Sequence, residues 1–294
     1  MNPAIGLSVE QFGVLYWIPI GLLLLLTPFL IILCRKKGEV FTHRFLIVMF
    51  SANFLLHFLK QVIIPSYIEK WPGGLVSSTA ENFCAFMVLF SPLFYLSKNK
   101  FLRDYLFYMG TISALAAYLM PTSPTTVDLL TPSGFLEVTR YYLCHAPIFY
   151  GGILMVASGI HKLSYKRYAA IPFMILIVLG LVWSNNALWN FAFHNFEWSE
   201  LLARDNPFMN SSYPNGPGVN LDAALGGIYP YLIPFLQTYK VDGVIHFTPI
   251  IWTLPLLIVI SIVVFPILCL PFTLKDMKED IARRKKKKQE TPEV

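Results

Sequence analysis

Charged residues are scarce in this sequence. Asp, Glu, Lys and Arg make up 14%, against about 25% in soluble domains, and that shortage excludes an ordinary water-facing surface. Cysteine is sparse too. Cys34, Cys84, Cys144 and Cys269 form no Cys-x-x-Cys pair and share no metal-ligand spacing with histidine. Neither a disulfide framework nor a zinc module is expected, and no metal or cofactor. The first apolar run has no basic stretch before it and no small-residue cleavage site after it, the marks of a signal peptide, so it is read as a retained helix. No internal repeat suggests the paired halves of many transporters.

Apolar residues fill the chain instead. They make up 55%, the mean hydropathy is +0.57, and several runs approach the roughly 20 residues that a helix needs to cross a bilayer. An all-α polytopic transmembrane helix bundle of about seven spans is expected. The spans fall near 13–33, 43–64, 81–96, 102–120, 135–160, 168–190 and 247–272. One membrane domain would cover 1–273, followed by a basic tail, 274–294.

Charge placement orients the bundle. Arg35, Lys36, Lys37 and Arg44 separate spans one and two; Lys98, Lys100 and Arg103 separate three and four; Lys162, Lys166 and Arg167 separate five and six. Eight more follow span seven, including the run 283–288. Only Lys60, Lys70, Arg140, Arg204 and Lys240 of the 23 Lys and Arg lie elsewhere. By the positive-inside rule the N-terminus is outside and the C-terminus cytoplasmic. The net charge of +6 is therefore a matter of topology and anionic headgroups rather than nucleic acid.

The long outer connection, 194–246, is broken by Pro207, Pro214 and Pro217, which exclude a continuous helix. It is read either as a structured cap or as an ordinary loop. Its aromatic stretch 229–235 suits the membrane interface, and Asn210-Ser211-Ser212 fits a glycosylation acceptor.

Ionisable residues inside apolar spans mark function, because they are costly there and usually face a bundle interior or an aqueous cavity. In span two His57, Lys60 and Gln61 share a face. Glu81, Asn82 and Cys84 open span three at its outer end. In span five Glu137, Tyr141 and Cys144 or His145 share a face, with Arg140 beside them. Topology brings all of these to one depth. A buried thiol becomes a nucleophile when a base takes its proton, so Cys84 with His145 is the leading pair. Glu81, Glu137 or His57 is the candidate orienter of the imidazole. Cys144 points away around the helix and ranks below Cys84.

Plainer roles compete with these. Glu137 and Arg140 pair as an ion pair at the membrane edge, Lys60 snorkels to the headgroups, and Asn185, Asn186, Asn190 and His194 act as interhelical glue or line a substrate groove.

The order and spacing of several blocks resemble a known family. Asn82-Phe83-Cys84, then Lys98-Asn99-Lys100-Phe101-Leu102, then 110–121 ending Leu119-Met120-Pro121, then 137–145, resemble the YwaF-like integral membrane family, as does the later 185–231 segment. That family is similar to transmembrane protein 164, a eukaryotic acyltransferase that remodels ether phospholipids. The resemblance covers roughly 40–270. It implies a thioester route with Cys84 as nucleophile and His145 as base. Many bacterial members carry His two residues before the Cys, where this chain has Asn82, which would donate to an oxyanion.

The resulting expectation is a membrane-embedded lipid acyltransferase moving a fatty acyl chain between phospholipid and lysolipid. Its partners are those two lipids and the bilayer, its home the plasma membrane if bacterial or the endoplasmic reticulum if eukaryotic. The rivals are a lipid hydrolase and a transporter or lipid-binding protein whose polar pathway is His57, Lys60, Glu137 and Arg140. Oligomeric state is left open.

Overall fold

The computed structural model describes residues 7–70, 73–121, 125–217, 238–241 and 244–290. The aromatic stretch 229–235 and the end of the 185–231 segment lie outside them. Helices dominate. They are α1 (Val14–Ile63), α2 (Pro65–Ile68), α3 (Phe83–Leu96), α4 (Lys100–Leu119), α5 (Pro132–Ala157), α6 (Ile171–Phe193), α7 (Trp198–Leu201), α8 (Leu254–Val259) and α9 (Phe265–Glu290). A π-helical turn, Ile260–Val264, joins the last two. One antiparallel hairpin, β1 (Thr238–Val241) and β2 (Val244–Phe247), stands apart from this pattern.

The first helix is two limbs. Gly38 has φ 83°, a left-handed conformation that glycine reaches without steric cost, and the chain reverses there. Leu23 O accepts from Tyr150 Oη (3.1 Å) and Ala157 O from Arg35 Nε (2.8 Å), so the first limb runs with α5. Asn53 Nδ2 then donates to Cys144 O (2.9 Å), so the second limb runs back along it. Thr42 Oγ1 clamps the reversal by donating to Gly38 O (2.9 Å) and Cys34 O (3.1 Å). At 1.5 Å per residue each limb is roughly 36 Å long, enough to cross a bilayer. The expected loop between spans one and two is thus a single residue's turn.

At the centre, α4 crosses α5 at close range. A Cβ on Gly110 would sit 2.8 Å from Ile148 O, and one on Gly152 would sit 3.0 Å from Leu106 O. Small residues let the backbones approach, as in membrane helix pairs generally. Tyr105, Leu106, Phe107 and Tyr108 are buried on successive positions, so α4 is enclosed on all sides. By contrast Leu22, Leu25, Phe29 and Ile32 on the first limb are exposed, an apolar surface suited to lipid.

Among the described residues three helical stretches are long and apolar enough to cross a membrane, Val14–Ile63, Tyr168–Phe193 and Ile251–Arg283, and Phe83–Leu96 is a shorter apolar helix. The protein is an integral membrane protein. The basic connections gather at one end of the bundle. Arg35 docks on the end of α5, Arg167 reaches Asp104 on α4 (Nε to Oδ2, 2.5 Å), and Lys162 reaches Asp276 on α9 (2.9 Å). The last helix does not stop where the apolar run does. It continues through the 273/274 boundary to Glu290, with Asp276 and Asp280 held by Lys162 and Lys166.

Candidate active site

The polar residues converge at the opposite end, where limb two of α1, α3, α5 and α6 meet. Asn53, His57, Lys60 and Gln61 lie at i, i+4, i+7 and i+8 on one buried stripe. Asn53, which sequence reading passed over, holds the carbonyl of Cys144 and so fixes the peptide between Cys144 and His145.

Cys84 occupies the second position of α3. Asn82 is the N-cap, its Oδ1 accepting from Ala85 N (2.8 Å), so the residue that stands where a catalytic histidine was considered serves the helix start. Phe83 N donates to Ser212 Oγ (2.8 Å). The backbone N–H of Cys84 has no hydrogen bond among the described residues, as expected for a donor in the first turn of a helix. The thiol is half-buried and free.

His145 is buried on α5. Its Nδ1 lies 2.6 Å from Tyr141 O, one turn back. A carbonyl only accepts, so Nδ1 carries the proton and Nε2 keeps the lone pair. Among the described residues the imidazole is held by a backbone carbonyl, and no hydrogen bond joins it to Glu81, Glu137 or His57. Of the two cysteines, Cys144 makes the direct contact with this ring, its Sγ 3.4 Å from Nδ1, and no hydrogen bond joins Cys84 to the ring among the described residues. Cys144 is turned towards the same carbonyl, Sγ to Tyr141 O 3.2 Å, and meets the protonated nitrogen rather than the basic one. The Tyr141 hydroxyl points elsewhere and donates to Ala117 O (2.8 Å).

The charged residues are tied down. Arg140 forms a two-pronged pair with Glu137 (Nη2 to Oε1 2.5 Å, Nε to Oε2 3.2 Å) and donates to Tyr67 Oη (3.1 Å). The Tyr67 ring also faces both cations, Arg140 at 5.3 Å and Lys60 at 5.1 Å. Lys60 does not snorkel outward. It is 4% exposed and donates to Ser77 O, while Gln61 Nε2 donates to Ser77 Oγ (2.7 Å) and Gly74 O (3.0 Å). His57 is buried with Nε2 unpartnered among the described residues.

A cavity of about 160 Å³ opens between α1 and α5. His57, Lys60, Arg140 and Cys144 line it together with Leu56, Leu59, Leu136 and Leu143. Neither Cys84 nor His145 lines this cavity, and the cap covers the start of α3. Ser211 Oγ donates to Glu81 O. Asn186 Nδ2 reaches Glu81 O (2.9 Å) and Phe208 O (3.1 Å), and Asn185 Nδ2 reaches Thr79 Oγ1 (2.9 Å). Asn190 closes the turn after α6 by accepting from Phe196 N (2.8 Å). These asparagines are glue for a structured cap.

Asn210 corrects the glycosylation reading. It is 6% exposed, and its amide nitrogen donates to Arg204 O (2.6 Å) and Gly216 O (3.0 Å). A glycan there would break the loop. Among the described residues no group of three His, Cys, Asp or Glu side chains is placed to hold a metal ion.

The family model described as the TMEM164 family matches residues 7–241, most of the chain, and the chain belongs to that family. No curated protein and no solved structure matches it.

Proposed function

We propose that this protein is a seven-span intramembrane acyltransferase, N-terminus outside, that moves a fatty acyl chain from a phospholipid to a lysolipid through a thioester on Cys84. His145 Nε2 takes the thiol proton, and Sγ attacks the ester carbonyl. The oxyanion is stabilised by the free N–H of Cys84, a role that Asn82, engaged as N-cap, leaves open. The C–O bond breaks, His145 returns the proton to the departing lysolipid oxygen, and the acyl group stays on sulfur. A second lysolipid hydroxyl then gives its proton to His145, attacks the thioester and restores the Cys84 thiol.

The observation that carries this reading is the fixed tautomer of His145, with Nδ1 given to Tyr141 O at 2.6 Å, which leaves Nε2 free to act as a base. The lining of the cavity, rather than its volume, supports a lipid substrate, since it joins leucine side chains to Lys60 and Arg140, a pairing suited to acyl chain and phosphate. Against a transporter stands the pairing of the charged residues: Glu137, Arg140 and Lys60 all have fixed partners. Water in place of the second lysolipid would make the same centre a hydrolase.

One specific observation favours a second nucleophile. Cys144, not Cys84, lines the cavity. Transfer of a labelled acyl chain from phospholipid to lysolipid in membranes carrying Cys84→Ala or Cys144→Ala separates the two. Loss in Cys84→Ala alone supports the proposal, and loss in Cys144→Ala alone moves the thioester to Cys144.

A further inference from the structure

We propose that the basic cavity at the opposite, loop-rich end of the bundle is a binding site for a ligand bearing phosphomonoester groups. The cavity has a volume of about 510 Å³ and lies between the turn joining α3 to α4, the 160–167 connection and the charged part of α9. That volume is within the roughly 300–1,000 Å³ of small-molecule sites. It shares no residue with the Cys84–His145 centre.

Its charge is unbalanced. Lys98, Lys100, Arg103, Lys162, Lys166 and Arg167 line it, with Arg283 at the α9 side. Three lining carboxylates answer them, and each is taken. Asp276 pairs with Lys162 (2.9 Å), Asp280 with Lys166 and with Tyr165 Oη, and Glu279 stands 3.9 Å from Arg283. Lys98 and Lys100 are exposed and have no carboxylate partner among the described residues. Arg103 gives Nε to Tyr95 O (3.1 Å) and has no ion pair there. A concave site with surplus charge of one sign concentrates counter-ions of the other.

One wall is preorganised. Asp104, fully buried on α4, accepts from Arg167 Nε (2.5 Å) and Nη2 (3.0 Å) and pairs with His161 Nε2 (2.6 Å). Arg167 Nη2 also donates to Lys162 O (2.9 Å). These bonds fix the guanidinium and leave Nη1 without a hydrogen bond among the described residues. A rigid arginine with a free nitrogen, set among flexible lysines, matches phosphate oxygens in geometry and charge. A singly charged anion would leave most of the surplus unanswered, so a dianionic phosphomonoester fits better.

The ligand is either a soluble phosphorylated compound or a phosphorylated lipid headgroup. Detergent-solubilised protein titrated with water-soluble inositol trisphosphate should bind it saturably. Lys98→Gln/Lys100→Gln should weaken binding at least about tenfold, which is ~1.4 kcal/mol, whereas Lys36→Gln/Lys37→Gln, basic but outside the cavity, should leave it unchanged. In phosphatidylcholine nanodiscs, adding phosphatidylinositol bisphosphate should displace the soluble probe if the source is lipid and leave its affinity unaltered if the source is soluble. No saturable binding of either probe, or equal weakening in both double variants, would overturn the site.

Discussion

His145 Nδ1 and the Tyr141 carbonyl lie 2.6 Å apart, one helical turn from each other on α5. That contact decides which nitrogen of the imidazole is basic. His145→Gln is therefore expected to lower acyl transfer by roughly 10²–10⁴-fold, the usual worth of a general base. Tyr141→Phe keeps the carbonyl and loses the hydroxyl bond to Ala117 O, so turnover should stay near wild type while stability falls by about 1 kcal/mol. Transfer rates of the two variants at matched expression check this. A collapse of turnover in Tyr141→Phe would mean that the side chain, not the backbone, is the orienting group.

Glu137 neutralises Arg140 in a partly buried pair, with the side chains 11% and 19% exposed. Removing one partner of a buried pair costs about 3–5 kcal/mol, and partial exposure puts this pair at or below the lower end. Glu137→Gln should lower the unfolding temperature in detergent by several degrees, more than Tyr67→Phe, which removes only one hydrogen bond. Equal stability of Glu137→Gln and wild type would remove the pair from the account of the fold.

The parts legible in sequence were those set by long runs. Apolar stretches located the helices, basic connections pointed to one end of the bundle, and polar interruptions found His57, Lys60, Glu137, Arg140 and His145. The reversal between spans one and two was expected, but not that Gly38 alone would make it, because helical residues flank it on both sides. Tyr67 was missed because an aromatic residue in a loop carries no mark of the two cations it faces. Asn186 and Asn190 were seen, but their targets are backbone carbonyls and N–H groups of a cap that exists only once α3 and α6 are packed. The same applies to Asp104, a lone acid whose partners, His161 and Arg167, are far along the chain.

Asp104 yields the next prediction. Asp104→Asn would take from Arg167 and His161 the negative charge and one of the two acceptor oxygens they share in a buried setting, a loss of about 3–5 kcal/mol. Ser164→Ala removes only a long bond from Lys166 N (3.3 Å) and should be nearly neutral. Thermal melts followed by size-exclusion fluorescence distinguish them. An unchanged melt for Asp104→Asn would contradict the buried triad.

Asn210 should be unglycosylated even in a host that modifies this sequon, because its amide is committed to Arg204 O and Gly216 O. Treatment with an amidase that strips N-glycans should leave gel mobility unchanged. A downward shift that disappears in Ser212→Ala would show the loop to be open.

The central claim is an acyl group carried on Cys84. Purified protein should be incubated with a phospholipid bearing an alkyne-tagged acyl chain, without lysolipid acceptor, then digested and mapped by mass spectrometry. The account predicts a hydroxylamine-sensitive tag on the peptide containing Cys84, absent in Cys84→Ala and discharged when lysolipid is added. A tag on Cys144 instead, or undiminished transfer by Cys84→Ala, would contradict it.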